Sequence, residues 1–404
     1  ALISVSQFSG SVVATVFGVP GESSSLPAVR EGKKLFTRGA GNFAISNAAM
    51  GSVLGSFIAV SLVLIVLPHA VELIKNFYNT TIQVVILAFS TLSVIFLMGD
   101  NKIQNLFVFG LGFMLGMIGH HDLPFFVFAP EILPYETFPK LLLGLPLFPV
   151  IVSLYVFPVL LQTAEQFKNY QTDKEYKDEA PIRLHFREFF SNMWASIRGS
   201  SLGCFIGLIP HVGTIVSSNL SYSLEKRIGQ KKGTYRNDGD MKSLVSAESA
   251  NNSTAMISLM PLLLLGIPIS GSEAMLLSMI EMNSYIINYT TTIETDLFMN
   301  LVYWFVFINI VAIILCWPAV KYVNVLQKVN MNILFWLTGL VLVVLVLYTG
   351  YLGMNTFYYF MVMVCLLPLG YALRKTEPLV LLIAFILQDK LLSSVITFYH
   401  IHLG

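Results

Sequence analysis

The sequence predicts an all-α, polytopic membrane protein built as two inverted-topology repeats, with broken transmembrane helices and a re-entrant hairpin. Three observations carry this expectation. Apolar residues make up 55% of the 404 and charged residues only 12%, against roughly 45–50% and 25% in an average soluble domain; mean hydropathy is +0.72. Apolar runs long enough to cross a bilayer recur along the chain. The basic residues fall in alternate loops.

The same arithmetic excludes other classes. Twelve per cent charge cannot cover the surface of a soluble enzyme this size. The apolar content excludes a disordered chain. Lys and Arg number 24 against 23 Asp and Glu, so no basic surplus exists to bind nucleic acid. Cys204, Cys316 and Cys365 sit in apolar stretches without metal-site spacing, and read as small packed hydrophobes. The chain starts at Ala1 with no charged n-region before an apolar core, so no signal peptide is visible and the start reads as a truncation.

In chain order, uninterrupted apolar runs cover 41–68, 81–99, 103–119, 138–162, 298–319, 331–350, 356–373 and 378–399. Regions 1–29 and 200–280 are apolar but broken by Gly, Pro, Ser and Asn. Basic clusters occupy the loops at Arg30, Lys33, Lys34 and Arg38, at Lys168 to Arg198, and at Lys226 to Lys242. Lys102, Lys321, Lys328, Arg374 and Lys375 fill further loops on the same side. The alternate loops 69–80 and 120–140 hold one Lys each, and 281–297 and 351–355 hold no Lys or Arg. By the positive-inside rule the basic loops are cytoplasmic.

Loops 163–190 and 225–243 then lie on one side, so the chain between them crosses an even number of times. Residues 200–224 are too few for two full crossings at ~1.5 Å per residue. This predicts a re-entrant hairpin over 200–224, with Pro210, His211 and Gly213 at its tip. Segment 244–280 must cross an odd number of times, with a break at Gly266-Ile267-Pro268. Backbone groups freed at membrane depth persist only inside protein or against a water-filled cavity, so the break is expected to line a site.

A matching element, Gly18-Val19-Pro20-Gly21-Glu22-Ser23, breaks the first region. It leads into a basic loop and the second break leads into an acidic one, so the two point oppositely. Paired broken segments of opposite orientation mark the binding site of a secondary transporter. The organisation expected is a first repeat over 1–162, a cytoplasmic linker over 163–190, and a second, inverted repeat over 191–404.

Glu22, Glu248, Glu273 and Asp389 lie in or near spans, where an ionisable group is a functional candidate by default. Residues 247–254 (Ala-Glu-Ser-Ala-Asn-Asn-Ser-Thr) precede a long apolar run and read as the N-terminal cap of a helix, a place for an anion. The substrate-binding candidates are therefore Ser23, Ser24, Ser25, Asn251, Asn252, Ser253 and Ser270. Carbonyls released at Gly18 and Pro20 and at Gly266 and Pro268 suit a hard cation, with Glu22 and Glu248 as coupling or anchoring acids. Packing glue between helices is the competing role for the Asn and Ser side chains. His120, His121, Asp122 and Glu131 sit in an outside loop and read as solvated, and His211 reads first as a cap, second as a titrating group. No catalytic group, resident metal or cofactor is expected.

These residues resemble a known family, the large membrane subunit of the tripartite tricarboxylate transporters (the TctA family). Gly239-Asp240, Glu248, Ala250-Asn251-Asn252, Pro261-Leu262 and Leu265-Gly266-Ile267-Pro268 are similar to its second-half signature. Gly203 to Pro210 with Gly213 resemble its hairpin. Pro20-Gly21-Glu22, Glu31-Gly32, Lys34 and Gly39-Ala40-Gly41 resemble its first-half signature. Departures stand at His211, Ala247, Ser253, Ile269 and Glu31. The resemblance implies that about 80 further residues, with the first repeat's own hairpin, precede the point matching Ala1.

It also implies a multi-pass permease of the bacterial inner membrane, coupled to Na⁺ or H⁺, that imports di- or tricarboxylates. Its partners would be a periplasmic solute-binding protein and a small membrane subunit, besides the lipid bilayer. Two other classes stay in view: an intramembrane metalloenzyme using His120, His121, Asp122 and Glu131, and a non-transporting scaffold or sensor with a transporter fold.

Overall fold

The computed structural model describes residues 2–18, 23–77, 80–97, 101–119, 144–168, 186–209, 213–266, 268, 270–282, 300, 303, 304, 307, 308, 311, 331–353 and 355–402. Among them every regular element is helical and no strand occurs. Helix α1 spans Leu2–Phe17. After a break come a short 3₁₀ turn at Ser23–Ser25 and an irregular segment over 28–40, where two π-helical turns flank Lys33–Leu35. Helix α2 runs Gly41–Phe77, α3 Thr80–Leu97 and α4 Lys102–Gly116. Helix α5 covers 147–168 with a π-helical turn at Val152–Val156.

Helices α6 (Phe186–Gly207) and α7 (Gly213–Lys231) form the predicted hairpin. They are followed by α8 (Met241–Ile257), α9 (Leu259–Leu265) and α10 (Gly271–Met282). Helices α11 (Met331–Leu352), α12 (Thr356–Ala372) and α13 (Pro378–His402) complete the described chain. Stretches 28–66, 335–352 and 378–401 are long and apolar enough to cross a membrane; 80–96, 102–116, 147–162 and 356–372 are shorter apolar helices. Phe89, Phe96, Ile103, Phe107, Trp336, Leu340 and Phe357 are exposed on these helices, the pattern of a protein whose surrounding solvent is lipid.

The hairpin is longer than its sequence suggested. Its arms have 22 and 19 residues, not the 25 of 200–224 together. The polar stretches on both flanks continue the two helices, and there Asn192, Ser196, Arg198 and Glu225 find partners inside the protein. Length alone therefore no longer forces a re-entrant reading, although the helix-turn-helix itself stands. Pro210 and His211 of its tip, like His120, His121, Asp122 and Glu131, lie outside the described residues.

Two compact units interleave along the chain: Ala1–Glu72 with Gln166–Gly266 and Asn288–Asn330, and Leu73–Glu165 with Ile267–Ile287 and Met331–Gly404. Each takes one piece from the first predicted repeat and two from the second. In the second unit α4 and α13 run side by side in one direction, Gly112 against Leu381 and Gly116 against Phe385 and Gln388. There α5 and α12 also run parallel, with Ser153 Oγ donating to Met363 O (3.0 Å) and Gln162 Nε2 to Arg374 O (2.6 Å). Ile151, Ala274 and Leu382 form part of that unit's core.

Candidate functional site

The centre of the first unit is helix α8. Every residue from Ser243 to Ile257 is buried, although Ser243, Ser246, Glu248, Ser249, Asn251, Asn252, Ser253 and Thr254 are polar. A polar helix fits inside a membrane protein only where neighbours come close enough to satisfy it. Here they do so through glycines. On α6, Gly199, Gly203 and Gly207 lie one helical turn apart and face Ser246, Ala250 with Ser253, and Thr254 with Ile257. On α2, Gly51 and Gly55 face Val245 and Ser249. A side chain at any of these positions would collide with α8's backbone or side chains. The spacing stands in the sequence as Gly-x-x-x-Gly.

Close approach lets short hydroxyls bridge helices. Ser221 Oγ donates to Ser246 O (3.0 Å) and pairs with Ser246 Oγ (2.7 Å). Thr254 Oγ1 donates to Gly203 O (2.9 Å). Ser249 Oγ reaches Gly51 O (2.9 Å), Val245 O (2.8 Å) and Ser196 Oγ. Other groups bond back within α8: Asn252 Nδ2 to Glu248 O at 3.1 Å and Ser253 Oγ to Ala250 O at 3.1 Å.

The cap of this helix does not lie at residues 247–254. Helix α8 starts at Met241, and Asp240 is its N-cap, accepting from Ser243 N (2.8 Å) and Ser243 Oγ (2.6 Å). Residues 247–254 are therefore mid-helix, and their backbone N–H groups are spent in the helix. The clustered Asn and Ser suggested a cap because caps favour those types; packing against glycine stripes favours them equally. Any ligand at Asn251, Asn252 or Ser253 must be held by side chains.

The first break begins at Gly18, whose φ of 71° is left-handed and whose N–H closes α1 on Ala14 O at 2.9 Å. The second begins the same way: Gly266 has φ 66° and ψ 33°, and its N–H donates to Leu262 O at 2.7 Å. Pro20 and Glu22 lie outside the described residues, as does the side chain of Ser23. Ser24 and Ser25 are buried, and Ser218 Oγ on α7 donates to Ser24 O at 2.7 Å. Ser24, Ser25 and Asn251 to Ser253 thus share one unit, and α7 packs against both their segments. In the other unit Pro268 is buried, and Ser270 Oγ accepts from Glu273 N (3.2 Å) to cap α10.

The segment after the first break carries two further features. Lys33 Nζ donates to Val16 O at 2.8 Å, at the C-terminal end of α1. Glu31 is fully buried and accepts from Tyr222 OH, Tyr235 OH and the Asp240 backbone N–H, each at 2.9 Å. Lys34 stands 3.9 Å from the same carboxylate. Arg198 grips buried Glu225 with two bonds, at 2.6 and 3.0 Å, and ties the hairpin arms together. Among the described residues no group of three or more His, Cys, Asp or Glu could hold a metal ion.

Among the described residues the architecture is all-helical, with a buried polar helix and with helices broken at left-handed glycines, and it is consistent with the class of all-α membrane transporters. The comparisons give the family. Residues 1–383 match the tripartite tricarboxylate transporter TctA family, and the chain belongs to it. It is 29% identical over 266 residues to an "Uncharacterized 52.8 kDa protein in TAR-I ttuC' 3'region" of Agrobacterium vitis, covering 65% of this chain and 50% of that protein. It is 38% identical over 66 residues to an "Uncharacterized protein in TAR-II ttuC' 3'region" of the same organism, 16% of this chain and 27% of that one. The chain thus spans half the length or less of the curated relatives it matches. No solved structure matches it.

Proposed function

We propose that the chain is the membrane permease part of a cation-coupled importer of organic anions, di- or tricarboxylates, in a bacterial inner membrane. The observation that carries this reading is α8: eight hydroxyl, amide and carboxyl side chains buried in the middle of a membrane unit. Neutral amide and hydroxyl donors can hold a carboxylate without a fixed ion pair, which favours release as well as binding. In this reading Asn251, Asn252, Ser253, Ser23, Ser24 and Ser25 contact substrate in the first unit, and Ser270 is a separate substrate-binding candidate of the second. Carbonyls at Gly18 and Pro20 and at Gly266 and Pro268, with Glu22 and Glu248, serve the coupling cation, Na⁺ or H⁺. The acids keep off the anion because like charges repel.

Two findings support an inverted repeat. Both Gly-x-Pro breaks open on a left-handed glycine that closes the preceding helix by the same N–H bond. Each compact unit also draws residues from both halves of the chain. The family's tripartite description supports delivery by a periplasmic binding protein and assembly with a small membrane subunit.

Uptake of labelled carboxylates into membrane vesicles, with and without an imposed Na⁺ or proton gradient, tests the proposal. Gradient-driven accumulation is expected, and Asn251→Ala with Asn252→Ala should reduce it at least tenfold while the folded protein persists. Uptake unchanged in that double variant would refute the site.

A further inference from the structure

Of the two breaks, the first carries its own positive charge. The last turn of α1 ends in carbonyls with no partner inside the helix, at the negative end of the helix dipole. One of them, Val16 O, receives the ammonium of Lys33 at 2.8 Å. Lys33 reaches it from 17 residues away, across the break. Its stem is laid along Gly18: a Cβ there would stand 3.3 Å from Lys33 Cγ, 3.4 Å from Cδ and 3.5 Å from Cε. The missing side chain of Gly18, held at φ 71°, leaves the lane open. The Phe36 ring, 5.5 Å from Nζ, faces the same cation. Gly32 packs on Thr15 and holds the segment against α1.

An ammonium and an alkali cation make the same demand, hard oxygen donors at short range. We propose that Lys33 is a tethered cation: its ammonium fills, at the first break, the carbonyl position that the second break offers to a free coupling ion. The two breaks are then unequal. The segment following the second, from Ile269 to Met282, contains no Lys or Arg. One alkali cation per cycle would couple at the second break, and none at the first. That consequence rests on the permease reading; the occupancy of the carbonyl end by Lys33 does not.

The test is sodium binding by the purified full-length chain in detergent, with choline replacing Na⁺ at constant ionic strength. Bound ²²Na⁺ and the thermal unfolding midpoint are followed for wild type, Lys33→Ala and Lys33→Met. Methionine keeps the stem along Gly18 and deletes only the charge. Both variants are expected to bind one more Na⁺ than wild type, with a saturable stabilisation of about tenfold in the unfolding constant at ten times the dissociation constant. Should a variant fail to fold in choline, purification in Na⁺ should recover it. Equal Na⁺ stoichiometry and equal salt response in folded variants, or a failure that Na⁺ does not repair, would overturn the proposal and leave Lys33 a helix cap. No substrate enters this experiment, so it can fail while carboxylate uptake succeeds, or succeed while uptake fails.

Discussion

Glu31 sits fully buried, and three donors converge on its two carboxylate oxygens. Each would lose its acceptor if the carboxylate were deleted, at about 1–3 kcal/mol per orphaned buried donor. Glu31→Ala should therefore lower the stability of the purified protein by several kcal/mol. Tyr235→Phe, which deletes one donor and orphans nothing else, should cost about 1 kcal/mol; equal losses in a thermal unfolding assay would contradict this. Burial and the Glu31 charge push the Tyr235 hydroxyl far above its ordinary range, so it stays a donor at any physiological pH. A second fastening of the same loop does titrate. Asp238 accepts from Arg38, and that bond, with help from Arg236, holds its carboxyl below the usual range. A carboxyl depressed in the fold contributes stability above its unfolded value and loses it as pH falls through the folded one. Amide protection in loop 233–239 should thus hold from neutral pH down to about pH 4 and fall below it. Asp238→Asn should flatten that profile.

At the scale of elements, the glycine stripes decide how α8 is held. A methyl at Gly203 would meet Ser253 Oγ and the Ala250 backbone, which cannot shift without moving the helix. Gly203→Ala should cost at least the ~1–3 kcal/mol of an overpacked core, whereas Gly110→Ala, with open space around it, should be neutral or stabilising because alanine is the better helix former. Paired unfolding curves of the two variants make the comparison. The helices themselves were legible in the sequence, since a continuous apolar run has few alternatives. The breaks were legible too, because Gly followed by Pro two residues on is a helix-stop signal; the left-handed glycine that opens each shows only in the structure. The start of α8 was not. Asn, Ser and Thr serve equally as caps and as interhelical contacts, and only the packed glycines of α2 and α6 show which applies. The Lys33 bond and the Glu31 cluster join residues 17 to 209 positions apart, and no local pattern announces such pairs.

At the scale of the whole molecule, the segregated charge makes a statement about direction that the packing can be checked against within each unit. If basic loops are cytoplasmic, α2, α6 and α8 must all leave the cytoplasmic side, and within the first unit α8 runs parallel to both of the others: Gly51 then Gly55 pair with Val245 then Ser249, and Gly199, Gly203 and Gly207 with Ser246, Ala250 and Thr254. In the second unit, α4 with α13 and α5 with α12 must each share a direction, and their contacts advance together in both pairs. A positive-inside error would have to invert every basic loop at once. The resulting prediction is specific. In a background with Cys204, Cys316 and Cys365 replaced, Asn237→Cys should react with a membrane-impermeant maleimide only in inside-out vesicles. Gly353→Cys, in a turn expected on the opposite side, should react only in right-side-out vesicles or intact cells. Both cysteines reacting from one side would break the alternation on which the orientation rests, and with it the assignment of the Lys33 segment to the cytoplasmic end of α1.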